Sequence, residues 1–257
     1  MATPFEDEVA YYYDFHPTEE DLMGETAVHA ALVHYLVEVL TWYFHGQHCA
    51  IHENLNFYQT SDVKEYPLAP DIAVIKGVDY RRSLRSWRVG RTGPVPQVVF
   101  EIASEETWKK DLEEKPLMYA QMGVKEYYAY DPYEPPLRRG RVRRLFGWHL
   151  ERDRGEMREL PLSQDGRLWS PYLASWLVPD REYLRLYDSQ VQRRLTRAEA
   201  EAQRADEEKQ RAEIEALRAE AEKQRADMEA QRAEAATRSA RALAEKLRSL
   251  GIDPDQL

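Results

Sequence analysis

Two carboxylates occupy positions in which they could bind a metal ion. Asp71 opens an apolar, strand-like run directly after Pro70, and Glu101 lies inside the run QVVFEIA at 97–103. Glutamate is depleted in strands and is rarely buried without a partner. If the two runs form neighbouring strands, both carboxylates can converge on one cation, and oxygen ligands with open water positions suit Mg²⁺ or Mn²⁺. Such an ion can activate water and stabilise negative charge on a phosphodiester.

Each carboxylate also has a simpler explanation, which the sequence leaves open. Glu101 is equally compatible with a half-exposed strand or with an ion pair to an arginine. Asp71 is compatible with a turn at the entrance of a strand. The two-residue period of a strand puts Glu101 on the face opposite to Phe100 and Ile102, whichever explanation holds.

Several predicted elements would position these residues. Apolar residues recur at three- and four-residue spacing from Glu25 to His45, which predicts a helix. We predict strands over 51–58, 71–75, 97–103 and 127–130, and a hairpin over 141–160. A helix over 105–122 separates the last two of these strands, which favours a crossover with parallel pairing. The prediction is an α/β fold with a mixed β-sheet flanked by helices and a long C-terminal helix.

The charges are unevenly distributed along the chain. The net charge is −10, which argues against a protein coated with nucleic acid. Residues 1–70 carry twelve Asp and Glu against one Lys, whereas residues 71–189 carry 21 Lys and Arg against 19 acidic residues. Attraction for phosphates must therefore come from the middle of the chain. The basic side chains between the two carboxylates that we predict to bind nucleic acid are Arg81, Arg82, Arg85 and Arg88. A solvated connecting loop is the alternative.

The C-terminal segment has a seven-residue repeat. Arg recurs at 204, 211, 218, 225 and 232, each time followed by Ala and an acidic residue. This charge pattern suits paired helices, but Ala, Gln and one Glu fill most of the seam beside Ile214, Leu217 and Met228, so a single solvated helix remains an alternative to a coiled coil. We predict a globular domain over 1–188 and a charged heptad-repeat helix over 189–257.

Other chemistries have little support. His45, His48, Cys49 and His52 straddle a predicted helix end and strand start, so convergence on zinc is not expected. The single cysteine excludes an intrachain disulfide. The first residues lack the basic and apolar segments of a signal peptide, and no apolar run approaches the roughly 20 residues of a membrane span. We therefore expect a cytoplasmic protein without membrane contact.

Several segments, in their order and spacing, carry a family resemblance over nearly the whole chain. They are APDIAV at 69–74, VVFEIAS at 98–104, Asp111 with Lys115, EYY at 126–128 and LWSP at 168–171. The chain resembles the Uma family of putative restriction endonucleases, a branch of the PD-(D/E)XK nuclease superfamily. The resemblance implies a restriction-endonuclease-like core in which Asp71 and Glu101 bind the metal. The usual lysine two residues after the glutamate is replaced by Ala103, and the resemblance points to Lys115 instead, with Glu25 as a further contributor.

These observations lead to two hypotheses. The first is a Mg²⁺- or Mn²⁺-dependent endonuclease that hydrolyses phosphodiester bonds in DNA, acts as a homodimer and reaches a helical partner through its tail. The alternative is a catalytically inactive module that binds nucleic acid or protein and carries a coiled-coil tail. The missing lysine at position 103 motivates the alternative.

Overall fold

The computed structural model describes residues 11–16, 26–81, 84–138, 142–151 and 153–249. The chain divides into two compact units, Met1–Ala198 and Glu199–Leu257. In the described ranges, none of the helices has both the length and the apolar character needed to cross a bilayer.

The first unit contains the sheets and the shorter helices. The described helices are α1 (Tyr12–Phe15), α2 (Ala27–Tyr43), α3 (Trp108–Glu113), α4 (Lys115–Met122) and α5 (Arg197–Ser249). The strands are β1 (Cys49–Glu53), β2 (Asn56–Tyr58), β3 (Ile72–Lys76), β4 (Ser86–Arg88), β5 (Val98–Ile102), β6 (Glu126–Tyr130), β7 (Leu145–Glu151), β8 (Glu156–Glu159), β9 (Leu168–Ser170), β10 (Ser175–Asp180) and β11 (Tyr183–Tyr187).

The main sheet has six strands in the order β1-β3-β5-β6-β7-β8. The central pair β5–β6 is parallel and the other pairs are antiparallel, so the sheet is mixed. Helices α3 and α4 connect the two parallel strands, as expected for a crossover. The predicted α/β fold with a mixed sheet and a long C-terminal helix is confirmed.

Each face of the sheet has its own hydrophobic core. Helix α2 and the small sheet β9–β11 cover one face, where Leu36, Phe100 and Tyr128 pack together. Helix α4 covers the other face, where Tyr119 packs with Tyr127. Burial on both faces explains why the central strands are almost continuously apolar. It also explains why a charged side chain on such a strand needs a compensating partner.

Two predicted elements are interrupted. The helix expected over 105–122 is two helices, because Pro116 lacks a backbone N–H and its ring clashes with the preceding turn. The new helix begins at Lys115, with Pro116 in its first turn. The strand expected over 51–58 breaks at Asn54, whose φ of 47° is incompatible with extended backbone.

Other boundaries follow the predictions closely. Helix α2 begins after Thr26, whose hydroxyl accepts the backbone N–H of His29 as an N-cap. The predicted hairpin is present as β7 and β8, with Gly155 at the turn in the left-handed region at φ 67°. Helix α5 has 53 residues and no buried side chain. Gly251 and Pro254, which are residue types that end helices, lie outside the described ranges.

Candidate active site

Asp71 and Glu101 lie opposite each other at one end of the β3–β5 pair. Ile72 pairs with Phe100, so Asp71, which precedes β3, is next to Glu101 in the antiparallel register. The backbone N–H of Ile102 donates to Asp71 Oδ2 over 2.5 Å. The aspartate is therefore held by the strand that carries the glutamate.

Glu101 faces helix α4 rather than α2. The hydroxyl of Tyr119 donates to Glu101 Oε1 over 2.6 Å, and Lys115 Nζ lies 3.0 Å from Glu101 Oε2. Both partners come from one helical face, because residues four apart in a helix are neighbours. The side chain of Glu101 is only 4% exposed, so this carboxylate is compensated by an ammonium group instead of by water.

A third carboxylate completes the cluster. Asp111 Oδ1 lies 2.7 Å from Lys115 Nζ, and its Oδ2 accepts the hydroxyl of Thr107 over 2.8 Å. The side chain of Asp111 is 1% exposed. Lys115 is thus held between two buried carboxylates, which fixes its ammonium group beside Glu101.

The cluster changes the ionisation of its members. Burial raises the pKa of Glu101 to about 8; the negative charges of Asp71 and Asp111 add to this shift, whereas Lys115 and the Tyr119 hydroxyl oppose it. Burial alone would lower the pKa of Lys115, but its ion pairs with Glu101 and Asp111 outweigh burial and raise the pKa. Lys115 therefore remains a cation at any physiological pH.

His29 contacts the carboxylate of Asp71 from helix α2. This histidine is in the first turn of α2, and its Nε2 atom lies 3.2 Å from Asp71 Oδ2. Its side chain is 11% exposed. Asp71 Oδ2 is therefore occupied by two neighbours, while Oδ1 makes no hydrogen bond or ion pair with the described part of the chain.

A cleft of about 440 Å³ opens onto these groups, and its walls include His29, Asp71, Glu101 and Lys115. This volume lies in the range of about 300–1,000 Å³ that is typical of ligand-binding clefts. The acidic cluster is thus accessible to a small ion and to part of a larger substrate.

The residues present fit a hard divalent cation. Three carboxyl groups, Asp71, Glu101 and Asp111, surround one ammonium group, so their full ionisation leaves an excess negative charge near the cleft. In the described ranges, no set of three or more His, Cys, Asp or Glu side chains is arranged to hold a metal ion. Mg²⁺ commonly uses only one or two carboxylates and completes its shell with water and substrate phosphate. Asp71 and Glu101 can meet that requirement.

The lysine beside Glu101 comes from a helix and not from position 103. Ala103 is 4% exposed and lies on the wall of a small cavity that apolar residues such as Trp108 line together with charged residues such as Asp131. Lys115 reaches Glu101 from α4.

Three of the four arginines predicted to bind nucleic acid do not line the cleft. Arg81 and Arg85 are exposed, and the Arg85 guanidinium lies 5.8 Å from the ring centroid of Phe15. Arg88 is buried at 9% exposure, with its guanidinium 4.8 Å from the ring centroid of Tyr11. None of these three side chains is on the cleft wall. Burial leaves Arg88 little surface for a phosphate.

Two predicted site residues, Glu25 and Arg82, lie outside the described ranges. Sequence reasoning also gave no role to three residues of the cluster, namely His29, Asp111 and Tyr119. Their spacing did carry a signal. Asp111, Lys115 and Tyr119 recur at intervals of four, although the helix break at Glu114 weakens a simple periodicity argument.

The fold and the cleft together define an α/β protein with an acidic, lysine-containing cleft at the end of its central strands. Comparison with known families identifies the group within this class. The model of the Uma2 family, described as "Putative restriction endonuclease", matches residues 3–178. The chain therefore belongs to the Uma2 family.

Comparison with solved structures shows a distant likeness. A crystal structure of "a putative nuclease belonging to DUF820 from Anabaena variabilis ATCC 29413" is similar to this chain at 16% sequence identity, with a TM-score of 0.42. The similarity covers 59% of this chain and 76% of that chain. A search of curated proteins found no match.

Proposed function

We propose that this protein is a Mg²⁺- or Mn²⁺-dependent endonuclease that hydrolyses phosphodiester bonds in DNA. The observation that carries the proposal is the meeting of Asp71, Glu101 and Lys115 at one cleft. Two carboxylates can hold a metal ion and a charged lysine can stabilise a phosphate, which together suit metal-assisted hydrolysis of a phosphodiester. Membership of the Uma2 family agrees with this chemistry.

Asp71 and Glu101 are the proposed metal ligands. Asp71 directs Oδ2 toward Ile102 N and His29, which leaves Oδ1 for the ion. Glu101 is held by Tyr119 and Lys115, so its carboxylate is oriented before an ion arrives. A bound Mg²⁺ or Mn²⁺ would supply Lewis-acid stabilisation of the phosphate and would lower the pKa of a coordinated water.

Lys115 is the proposed electrostatic group for the phosphate. Its raised pKa excludes a role as a general base at neutral pH, since a base must be able to lose its proton. Its charge can instead orient the attacking water and stabilise the negative charge that develops on the phosphate. Asp111 is a positioning residue that holds the ammonium group in place.

The placement of Lys115 favours catalysis over an inactive binding module. Replacement of the usual lysine by Ala103 was the reason to consider the inactive alternative. The ammonium group that position 103 lacks is present 3.0 Å from Glu101, on another element. We therefore favour an active site that contains both carboxylates and the lysine. The lysine is supplied by α4 instead of by the residue two positions after Glu101.

We also propose that DNA contacts extend beyond the cleft and that the protein acts as a homodimer. Arg81 and Arg85 are exposed and remain candidates for contacts to backbone phosphates, with Arg82 beside them in sequence.

Helix α5 exposes Ile214, Leu217 and Met228 along its repeat, which suits weak pairing with a second helix. Sedimentation equilibrium of the full chain is expected to give a dimer, and Leu217→Lys should shift it to a monomer. A wild-type monomer at micromolar concentration would contradict the pairing.

A cleavage assay tests the proposed activity. Supercoiled plasmid and single-stranded DNA are incubated with the protein and Mg²⁺ or Mn²⁺, beside the Asp71→Asn variant and a sample with EDTA. We expect cleavage only by the wild-type protein with the metal, because the variant loses one oxygen ligand's charge. Equal cleavage by the wild-type protein and Asp71→Asn would contradict the assignment and would indicate a contaminating nuclease.

A further inference from the structure

Two tyrosines stand on the wall of the same cleft as the candidate metal ligands. Tyr13 comes from α1 and Tyr66 from the segment between β2 and β3, and both line the cleft with Asp71 and Glu101. Their ring centroids are 5.2 Å apart and the rings are inclined by 71°. The two rings are therefore arranged edge to face.

The exposure of Tyr66 sets it apart from the other tyrosines near the cluster. Tyr66 is 46% exposed, whereas Tyr119 and Tyr127 are at most 1% exposed. A ring that served only to fill the core would be expected to bury most of its apolar surface. An aromatic face that remains open inside a cleft is available to a flat ligand.

The backbone around Tyr66 is fixed on both sides. The carboxylate of Glu65 accepts the backbone N–H groups of Gln59 over 2.8 Å and of Thr60 over 2.7 Å. Leu68 and Phe57 exchange backbone hydrogen bonds of 2.8 and 3.0 Å. The ring is therefore already positioned before binding, which reduces the entropy lost when a ligand stacks on it.

A cation accompanies the ring. Lys110 Nζ lies 5.7 Å from the ring centroid of Tyr66, and Lys110 also lines the cleft. An aromatic face next to an ammonium group matches a nucleotide, because the base can stack while the adjacent phosphate meets the positive charge.

We propose that Tyr66, supported by Tyr13, is a stacking platform for an unpaired base of single-stranded DNA next to the candidate active site. The inference rests on the proposed function and specifies its substrate class. A base inside a duplex has both faces covered by its neighbours, so only an unpaired or flipped base can stack on a protein ring. The platform therefore favours single-stranded DNA, or a duplex with an unpaired nucleotide, over a regular duplex.

Binding without cleavage tests the platform separately from catalysis. Fluorescence anisotropy is measured with a fluorescein-labelled single-stranded 12-mer and with the matching duplex, in EDTA, using the full chain. Loss of one base–aromatic stack corresponds to roughly 5- to 100-fold in affinity. We expect Tyr66→Ala to weaken single-strand binding by an amount in this range and duplex binding by less than about twofold. Tyr66→Phe should bind as the wild type does, since it keeps the ring.

Tyr80→Ala is the matched control, because Tyr80 is 59% exposed but is not on the cleft wall. It should leave the ratio of single-strand to duplex affinity unchanged. The platform is overturned if Tyr66→Ala leaves that ratio unchanged, if Tyr66→Phe loses as much as Tyr66→Ala, or if the wild-type protein binds neither probe. If Tyr66→Ala changes the ratio of single-strand to duplex affinity but no metal-dependent cleavage is found, the platform is retained and the nuclease is rejected. If cleavage depends on Asp71 but Tyr66→Ala does not change the ratio of single-strand to duplex affinity, the nuclease is retained and the platform is rejected.

The salt dependence of the same binding reaction tests Lys110. If its ammonium group meets a phosphate, Lys110→Gln should reduce the slope of log affinity against log salt concentration by about 0.7 for a single strand. Lys109→Gln should leave the slope unchanged, since Lys109 is exposed and is not on the cleft wall. An unchanged slope for Lys110→Gln would overturn the phosphate contact.

Discussion

Two buried glutamates on neighbouring strands show what distinguishes a carboxyl group of a candidate active site from one that is only part of the packed core. Glu101 on β5 and Glu126 on β6 are 3% and 0% exposed, and burial raises the pKa of both. Glu126 lies on the face covered by α2, where its Oε2 accepts the hydroxyl of Ser170 over 2.5 Å and its Oε1 is 3.9 Å from His149 Nδ1. Glu101 lies on the other face, beside a lysine, two further carboxylates and the cleft.

The difference shows that burial and a raised pKa do not by themselves identify an active site. Glu126 has neutral hydrogen-bond donors and does not line the cleft, so its surroundings suit a protonated or weakly charged carboxyl group. Glu101 has an ammonium partner, surplus negative charge around it and access from solvent, so its surroundings suit an incoming cation. Access and charge balance separate the two glutamates.

The largest expected effect contrasts these glutamates directly. We expect Glu101→Gln to lower the initial rate of plasmid cleavage by about 1,000-fold, because the loss of a ligand's charge weakens the hold on the metal ion that would stabilise the phosphate. Glu126→Gln should change the rate by less than about twofold if the protein folds, since the Ser170 hydroxyl can still donate to the amide oxygen. Rates are measured with Mn²⁺ on protein whose folding is checked by circular dichroism. Equal losses of cleavage rate in Glu101→Gln and Glu126→Gln would contradict the different roles of the two glutamates.

The second prediction concerns Lys115, the lysine that pairs with Glu101. Lys115→Met should lower cleavage by about 100-fold. It should also lower the free energy of unfolding by about 3 kcal/mol, because Glu101 and Asp111 lose their shared partner. Lys109→Met, on the exposed side of α3, should change the unfolding free energy by less than about 0.5 kcal/mol. Urea titration measures both variants, and a Lys115→Met protein as stable as the wild type would contradict the buried ion pairs.

The third prediction uses the pKa of Glu101, which burial raises to about 8. Below that pH the carboxyl group is protonated, so a divalent ion must displace a proton. Calorimetric Mn²⁺ affinity should therefore rise by up to about tenfold per pH unit as the pH approaches 8, and then level off. Without metal, this group's contribution to stability is greatest below its unfolded pKa and is lost as the pH rises toward 8. An affinity that is constant between pH 6 and pH 8 would refute the raised pKa.

The smallest expected effect tests the support of Asp71. His29→Ala should lower Mn²⁺ affinity or cleavage by about tenfold, because partners of a metal ligand orient it without binding the ion themselves. His34→Ala on the same helix should have no effect, since its side chain is 73% exposed and pairs only locally with Glu38. Equal behaviour of the two variants would indicate that His29 has no positioning role.

Much of the fold could be predicted from sequence because its central strands are buried on both faces. The continuous apolar runs predicted the strands β3 and β5. The helix predicted between β5 and β6 indicated that these two strands pair in parallel. The break at Asn54 was not predicted, because a local backbone conformation decides it while the apolar pattern continues. Pro116, in contrast, indicates in the sequence itself that a helix starts or kinks near Lys115. Periodicity does not report such breaks.

The site could be predicted only in part, for a different reason. Asp71 and Glu101 are conspicuous because their neighbours in sequence are apolar. Asp111 is one of several charged residues in a polar helical segment, and His29 is one polar residue in the largely apolar helix α2, so neither is conspicuous. Tertiary packing brings His29 to Asp71, whereas Asp111 meets Lys115 four residues along the chain. The burial of Arg88 against Tyr11 was equally hidden, since a run of arginines has the same appearance whether it is solvated or packed.

The central claim is that Asp71 and Glu101 share one divalent ion. Isothermal titration of the full chain with Mn²⁺ at pH 8 tests it most directly, with the wild-type protein beside Asp71→Asn, Glu101→Gln and Glu126→Gln. We expect one site in the wild type and in Glu126→Gln, and binding weaker by about 100-fold or more in the other two variants. Wild-type affinity in Asp71→Asn or Glu101→Gln would contradict it.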